Sequence, residues 1–488
     1  MRLEDIIRNC TVLSISGSTN IDVTDITNDS RKVTPGCLFV AVSGCGNDAR
    51  HYIKSASEAG AVAVILEGNP QDVSEYLDGF HGTTIYVEDS RLAAAMSADA
   101  FYEHPSGKLK LVGITGTNGK TTTVTLLYNL FRSLGYECGL MSTIANYVGN
   151  RRIETTNTTS DPITINSLLS QMCKAGCEYC FMEVSSIGVD QKRIEGLEFK
   201  AGIFSNLTHD HLDYHGTFAN YLRCKQIFFD KLSKDAFAIT NSDDKNGKIM
   251  VQNTKAQVIT YGCRTAADHK CRIIEEGFDG MLLNIDGKEV WTRLIGAHNA
   301  YNLLAIYTTA IALGANNEET LVALSKLESA KGRLETLRGP KDLTVVIDYA
   351  HTPDALENVL KTLRDVGPEK QLICLFGCGG DRDKTKRPEM GAVAEKYADR
   401  IILTSDNSRS EDTSDIINDI KGGMAPEGLA RTLSISDRKE AIRTAIMLAD
   451  KGAVLLLAGK GHETYQIIGK DKRHFDEREI VEEVFKTL

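Results

Sequence analysis

Gly113-Ile114-Thr115-Gly116-Thr117-Asn118-Gly119-Lys120-Thr121-Thr122 sets glycines, hydroxyls and one lysine between an apolar strand-like run at 109–115 and a helix-like run at 120–134. Glycines let backbone N–H groups curl round phosphate oxygens, and a helix N-terminus adds partial positive charge. Lys120 supplies a full charge, and Thr121 a hydroxyl suited to Mg2+. The usual pattern has a glycine five residues before Gly119, where this chain has Ile114. The run is therefore a Gly-x-x-Gly-x-x-Gly-Lys-Thr variant. Its strand–loop–helix context reads as a nucleotide-phosphate loop rather than a chance Gly-rich turn.

Two further clusters sit at expected strand ends. Met182-Glu183-Val184-Ser185-Ser186 is one, and Asn206-Leu207-Thr208-His209-Asp210-His211-Leu212-Asp213-Tyr214-His215 is the other. Hard oxygen ligands with an imidazole suit Mg2+ beside a triphosphate. Taken singly, each histidine reads as part of a solvated polar loop. Cys173, Cys177 and Cys180 form the one dense thiol group. Zinc would want a fourth ligand at suitable spacing, and Cys180 opens an apolar strand-like stretch. The 12 cysteines of this long chain read as reduced thiols.

These motifs need a scaffold, and 488 residues imply about three domains. The first, 1–105, reads as a small α/β unit with strands at 37–42, 61–66 and 84–87 and a helix at 91–102. His104-Pro105-Ser106-Gly107-Lys108 reads as a linker. The second, 106–334, has strands at 109–115, 179–184, 201–205, 236–240 and 257–261, and a long apolar helix at 299–313. The third, 335–488, has strands at 343–348, 372–376, 400–404 and 453–458, alternating with helices at 353–364, 388–397 and 438–450. Such alternation gives an α/β fold with mostly parallel sheets, the last doubly wound. Ligands of these sheets bind beyond the carboxyl ends of the strands, where the polar motifs fall.

Composition narrows the function. Hydrophobic residues are 42% and charged residues 25%, which excludes a disordered or fibrous chain. A formal charge of −10 argues against a broad nucleic-acid or membrane surface. No apolar run reaches the length of a membrane span. Met1-Arg2-Leu3-Glu4-Asp5 lacks the apolar core of a signal peptide, so a cytoplasmic protein is expected.

Taken together, the motifs resemble the Mur ligases, the ATP-dependent amide-bond-forming enzymes of peptidoglycan synthesis. The resemblance runs through all three units. It rests on Asp29-Ser30-Arg31, Gly116-Thr117-Asn118-Gly119-Lys120-Thr121, Asn157-Thr158-Thr159, Glu183-Val184-Ser185-Ser186 and Asp210-His211-Leu212-Asp213. It continues with Gly296-Ala297-His298-Asn299-Ala300-Tyr301-Asn302, Asp348-Tyr349-Ala350-His351-Thr352-Pro353-Asp354, Gly379-Gly380-Asp381-Arg382 and Gly459-Lys460-Gly461-His462-Glu463.

The resemblance implies roles by position. Ser30 matches a contact to the uridine part of a UDP-linked substrate. Gly116, Thr117, Asn118, Gly119, Lys120, Thr121 and Thr122 match the ATP phosphate loop, and Asn299, Asn302, Arg333 and Asp348 match other nucleotide contacts. Thr121, Glu183 and His211 match Mg2+ positions, and Lys225 matches a carbamylated lysine (N6-carboxylysine), whose carbamate oxygens ligate metal where an ammonium cannot. Without the resemblance, Lys225 reads as a surface lysine on a helix. Thr158, Thr159, Ser185, Gln191 and Arg193 match contacts to the muramoyl dipeptide. Arg382, Asp406, Asn407, Ser408, Arg409, Gly459 and Glu463 match the amino-acid site.

The implied reaction joins an amino acid to UDP-MurNAc-L-Ala-D-Glu through an acyl phosphate, with ATP as co-substrate and Mg2+ as cofactor. An arginine at 409 goes with meso-diaminopimelate, whose distal carboxylate a guanidinium fits in bidentate fashion. Two positions depart from the family pattern: Ser408 stands for a proline, and Ile187 for a histidine. L-lysine or another amine is the alternative acceptor. Two rival functions are a folylpolyglutamate-type ligase and a silent sensor of the UDP precursor. The uridine-side unit speaks against the first, and Lys120, Glu183, His211 and Lys225 against the second. The resemblance further implies a bacterial enzyme working as a monomer.

Overall fold

Apolar runs punctuated by glycine and polar turns become short strands with both faces covered. They are seen in a computed structural model that describes residues 1–44, 48–208 and 212–488, with side chains at 212 and 213 left aside. The chain forms two compact units, Met1–Lys270 with Leu304–Thr320, and Cys271–Leu303 with Leu321–Leu488.

The first unit holds two sheets. Strands β1 (Val12–Ser16), β2 (Asp25–Thr27), β3 (Cys37–Ala41), β4 (Ala63–Glu67) and β5 (Thr83–Val87) lie in the order β1-β5-β4-β3-β2, with β1 antiparallel and the rest parallel. Alternate residues of β3 serve opposite faces, as the two-residue period of a strand requires. Leu38 and Val40 pack with Leu3, Ile6 and Ala94, and Phe39 and Ala41 pack with Ile53 and Leu66.

The second sheet of this unit is built from β6 (Lys110–Thr115), β7 (Cys138–Met141), β8 (Asn146–Val148), β9 (Arg151–Ile153), β10 (Tyr179–Glu183), β11 (Phe199–Phe204), β12 (Phe237–Asn241) and β13 (Gln257–Gly262). Their order is β13-β12-β11-β6-β10-β7-β8-β9. All pairs are parallel up to β7, and β8 and β9 extend the edge antiparallel. β6 is central and stands where the winding direction changes, the point at which such sheets open a crevice for ligand. Gly113 lets helix and sheet close there: a Cβ would lie 2.7 Å from the Phe228 ring and 2.8 Å from that of Phe199.

β14 (His269–Gly277), β15 (Gly280–Ile285) and β16 (Lys288–Thr292) form an antiparallel meander. In the second unit, β17 (Glu335–Arg338), β18 (Thr344–Asp348), β19 (Leu372–Phe376), β20 (Arg400–Leu403), β21 (Thr432–Ser434) and β22 (Val454–Ala458) are ordered β17-β18-β22-β19-β20-β21, parallel except for β17. Helices cover both faces, giving two apolar cores, one around Leu356, Leu360 and Met390 and one around Ile442, Ile446 and Val481. A hairpin of β23 (Tyr465–Ile468) and β24 (Asp471–His474) follows.

The strands expected from sequence are found with small shifts at their ends. The expected linker is more tightly packed than its composition suggests. His104 takes a left-handed φ of 53°, Pro105–Lys108 forms a 3-10 turn, and buried Ser106 accepts from the Glu198 N–H at 3.0 Å. The meander and the hairpin have no counterpart among the expected elements, whereas Lys225 lies on a helix as expected, Phe218–Asp230.

One buried pair fastens the last helix to the second unit. Arg438, fully buried, binds Glu477 at 2.7 Å and donates to the carbonyls of Ser405 at 3.1 Å and Ala458 at 2.8 Å. Removing one partner of such a pair strands the other charge and costs about 3–5 kcal/mol. Arg438→Met is expected to lower the thermal midpoint strongly, and Arg438→Met with Glu477→Leu to recover much of the loss. Calorimetry of both variants checks it.

Candidate active site

The phosphate-loop reading places Gly116 where β6 ends, and the backbone there admits only glycine. Gly116 has φ +150°, and a Cβ would meet the Ser205 hydroxyl at 2.0 Å. The loop is latched from the end of β11. Thr117 N–H donates to the Asn206 carbonyl at 2.8 Å, Asn118 N–H donates to Asn206 Oδ1 at 2.9 Å, and Ser205 Oγ donates to the Asn118 carbonyl at 2.7 Å. Thr117 Oγ1 also lies 3.1 Å from the Tyr221 hydroxyl. Helix Lys120–Ser133 starts at Gly119 (φ 88°) with no side-chain cap. Its first N–H groups thus face the crevice as an anion site. Thr121 and Thr122 are buried in its first turn.

Two lysines meet on this loop. Lys120 Nζ donates to the carbonyls of Gly116 at 2.8 Å and Thr117 at 2.7 Å. Lys225 Nζ donates to the same Gly116 carbonyl at 2.8 Å and lies 4.7 Å from the Tyr221 ring centre. Lys225 is 1% exposed, so it is a buried residue and not the surface lysine that its helix suggests.

Glu183 ends β10, in register with Ile114 of β6. It is 1% exposed, and its Oε1 accepts from Thr143 N–H at 2.8 Å and Thr143 Oγ1 at 3.1 Å. Thr143 Oγ1 also lies 3.1 Å from the Thr158 hydroxyl. Thr159 Oγ1 donates to the Glu183 carbonyl at 2.9 Å and accepts from Ser185 N–H at 3.0 Å. Arg193 Nη1 binds the Thr159 carbonyl at 2.5 Å, and its Nη2 binds Gln191 Oε1 at 2.6 Å. Burial lowers the pKa of the Arg193 guanidinium. Thr158, Thr159, Ser185, Gln191 and Arg193 therefore form one network with Glu183. Ile187 is half-buried, in the short helix Ser186–Asp190 that Ser185 caps. His211 lies outside the described residues.

Ser30 and Gln191 line one cleft of about 1510 Å3, with Arg31, Arg91, Asp190, Tyr214 and Arg223. Tyr214 donates to Asp190 at 2.6 Å, and Asp29 caps the Ser30–Lys32 turn. Arg91, Asp190 and Arg223 are additions that the fold makes. They stand far apart in sequence, and no motif marks them.

The second unit gathers most of its residues at the carboxyl ends of β18, β19, β20 and β22. Asp348 accepts from the N–H groups of Leu334 and Ala350, each at 2.8 Å, and its burial raises the carboxyl pKa against the opposing charge of Arg333. Arg333 lies over the Tyr349 ring at 5.2 Å. Asn299 and Asn302 are buried and joined by a 2.9 Å hydrogen bond.

Asp406, Asn407 and Ser408 are all buried. Arg409 has φ 51° and donates from Nη1 to the Gly380 carbonyl at 2.7 Å. A Cβ on Gly379 would lie 3.1 Å from Arg409 Nη1 and 3.8 Å from Arg382 Cγ, so both arginines flank that glycine. Serine in place of proline at 408 does not release Arg409. Its N–H donates to the Ile467 carbonyl at 3.2 Å, and its carbonyl accepts from Gly469 at 2.7 Å, which ties it to the hairpin. Gly459, φ 111°, brings the chain against Asp406, and Glu463 Oε2 accepts from Asn407 Nδ2 at 2.9 Å. Lys460, which carries no role from the motif around it, is fully buried in this group.

Comparison with known proteins identifies the family. Residues 22–102 match the model of the Mur ligase family catalytic domain, 114–310 the Mur ligase middle domain, and 332–461 the Mur ligase glutamate ligase domain. The UDP-N-acetylmuramoyl-L-alanyl-D-glutamate–2,6-diaminopimelate ligase of Parabacteroides distasonis is 51% identical, covering 100% of this chain and 99% of its own. That of Cytophaga hutchinsonii is 49% identical, with 100% of each chain covered. A solved structure of a ligase of the same name superposes with a TM-score of 0.72 at 31% identity, over 100% of this chain and 99% of the other. A MurF ligase from Thermotoga maritima in complex with ADP shares the fold, with a TM-score of 0.61 at 18% identity, over 95% and 97% of the two chains. This chain belongs to the Mur ligase family.

Proposed function

We propose that the enzyme adds meso-diaminopimelate to UDP-MurNAc-L-Ala-D-Glu, consuming ATP, in peptidoglycan synthesis. The observation that carries the acceptor is the pair of arginines beside Gly379. Meso-diaminopimelate and L-lysine share an amino-acid head and an aliphatic stem and differ by one distal carboxylate. Arg409, with its backbone tied to the hairpin, is the group to meet that carboxylate, and Arg382 adds a second cation. The relatives of about 50% identity over their full length are named as ligases of 2,6-diaminopimelate.

The chemistry follows from charge. The terminal carboxylate of the dipeptide attacks the γ-phosphorus of ATP, and ADP leaves. The amine then attacks the acyl carbon and expels phosphate. No protein nucleophile is required. Lys120 and the helix N-terminus stabilise charge on the transferred group, the main demand of phosphoryl transfer. Thr158, Thr159, Ser185, Gln191 and Arg193 orient the dipeptide, and Ser30 its uridine. Arg333, Asp348, Asn299 and Asn302 hold the nucleotide.

Thr121, Glu183, His211 and Lys225 as its carbamate would hold Mg2+. Glu183 is a buried carboxylate on the strand paired with β6, and Thr121 a buried hydroxyl in the first turn of the helix that follows β6; both suit a hard cation that takes oxygen ligands. The ion would supply further neutralisation of phosphate charge. Division at 105 and 334 into UDP-binding, ATPase and amino-acid-binding domains fits this assignment. Among the described residues no helix is long and apolar enough to cross a membrane. We place the enzyme, as a monomer, in the bacterial cytoplasm.

Two outcomes test these assignments. A carbamate on Lys225 should appear in electron density or native mass, and Lys225→Ala should lose more than a hundredfold in turnover, about 2.7 kcal/mol of barrier. An unmodified Lys225 in the ATP complex would refute it. For the acceptor, kcat/KM should favour meso-diaminopimelate over L-lysine by thirtyfold or more, since stranding one partner of a buried charge pair costs about 2–5 kcal/mol. Arg409→Ala should collapse that ratio. Equal use of lysine by the wild type, or an unchanged ratio in the variant, overturns the assignment.

A further inference from the structure

Lys460 has no part in the chemistry above, yet its side chain is 0% exposed. An ammonium taken out of water is costly unless it is paired and hydrogen-bonded. Lys460 Nζ lies 3.3 Å from Glu463 Oε2, 3.4 Å from Asn407 Oδ1 and 3.6 Å from Asp406 Oδ1. The rings of Tyr465 and Phe475 flank it at 5.7 and 5.8 Å. Glycines with positive φ stand on both sides, Gly459 at 111° and Gly461 at 52°. The chain turns sharply at each, and between them the lysine side chain is directed into the interior.

We propose that Lys460 is a positioning residue that, together with Asn407, fixes Glu463 to receive the ammonium end of the incoming amino acid. This rests on the reading of the second-unit site given above. Asn407 Oδ1 accepts from Lys460 and from Ile467 N–H at 2.9 Å. Only the amide oxygen can face two donors, so the amide has one orientation, with Nδ2 donating to Glu463 Oε2. Glu463 Oε2 thus takes two donors from the interior. The Glu463 side chain is 16% exposed where that of Lys460 is 0%, so the carboxylate stands at the edge of the site and its other oxygen can meet a ligand. Arg438 and Glu477 next to this group neutralise each other. One ammonium against Asp406 and Glu463 leaves one negative charge in excess, which is the complement of an amino acid's ammonium group.

The position makes a separable demand. Acyl-phosphate formation needs no amino acid, so loss of Lys460 should spare it. In full-length Lys460→Met, KM for the preferred amino acid should rise at least tenfold. KM for ATP and for the UDP-dipeptide should stay within twofold. Acyl phosphate trapped with borohydride in the absence of amino acid should form at the wild-type rate, which also reports folding. Lys460→Arg should restore part of the loss. An unchanged KM for the amino acid, or equal rises for all three substrates, overturns the proposal. If Lys460→Met is insoluble, Lys460→Gln is read in the same way. A double variant with Asn407→Ala should be no worse than the poorer single, because one acts through the other; multiplied losses overturn the coupling. The wild-type acceptor panel decides the site reading separately. If another amino acid is preferred, the KM split is measured with that one.

Discussion

In the unmodified chain two ammonium groups donate to one carbonyl, that of Gly116, and the geometry of the loop turns on this residue. Two unit charges about 5 Å apart repel by ~3 kcal/mol at an effective dielectric near 20. Gly116 is pressed against Ser205 where a side chain has no room. Ser205 and Asn206 then clamp Asn118, and the helix begins two residues beyond the clamp. A polyphosphate answers both cations and the helix N-terminus together. Carbamylation would turn Lys225 from a like charge beside Lys120 into an opposite one. The modification thus fits the electrostatics of the loop as well as the need for an oxygen ligand.

The second unit solves a different problem by similar means. Its loops between strands and helices carry charged groups, and each loop is fastened from a distant piece of chain. Arg438 ties the carbonyls of Ser405, just beyond β20, and of Ala458, at the end of β22, to the last helix. Arg387, fully buried, binds Glu411 and Asp419 and donates to the Gly379 carbonyl, which braces the turn that Arg382 and Arg409 flank. If this loop meets the acceptor as proposed, holding it at this many points would present a fixed guanidinium, and a fixed guanidinium without its carboxylate partner would penalise the wrong acceptor.

What the sequence made legible follows from how far apart the interacting residues are. The phosphate loop, the apolar strands and the long helix Ala297–Ala312 are written in short stretches, so local pattern was sufficient. The burial of Lys225 was not, because it depends on the Gly116 carbonyl 109 residues away. Ser205 looks like an ordinary strand-end residue, and Asn206 like one more member of the polar cluster that follows, until the fold sets them against the loop. The left-handed Arg409 runs against the usual preference for glycine or asparagine at positive φ; hairpin hydrogen bonds hold it there. The meander of β14–β16 escaped because charged residues such as Glu275 and Glu276 interrupt its apolar alternation. Proline at 408 proved dispensable for keeping Arg409 in place, since hydrogen bonds through 409 do that work.

The central claim is that this site activates a carboxylate by phosphorylation and then exchanges phosphate for an amine. Isotope transfer tests it most directly. UDP-MurNAc-L-Ala-D-Glu labelled with 18O in both oxygens of the terminal carboxylate is turned over with ATP and meso-diaminopimelate, and the products are weighed by mass spectrometry. The account predicts one 18O in each phosphate released and none in ADP. Unlabelled phosphate, or label appearing in AMP, would contradict it.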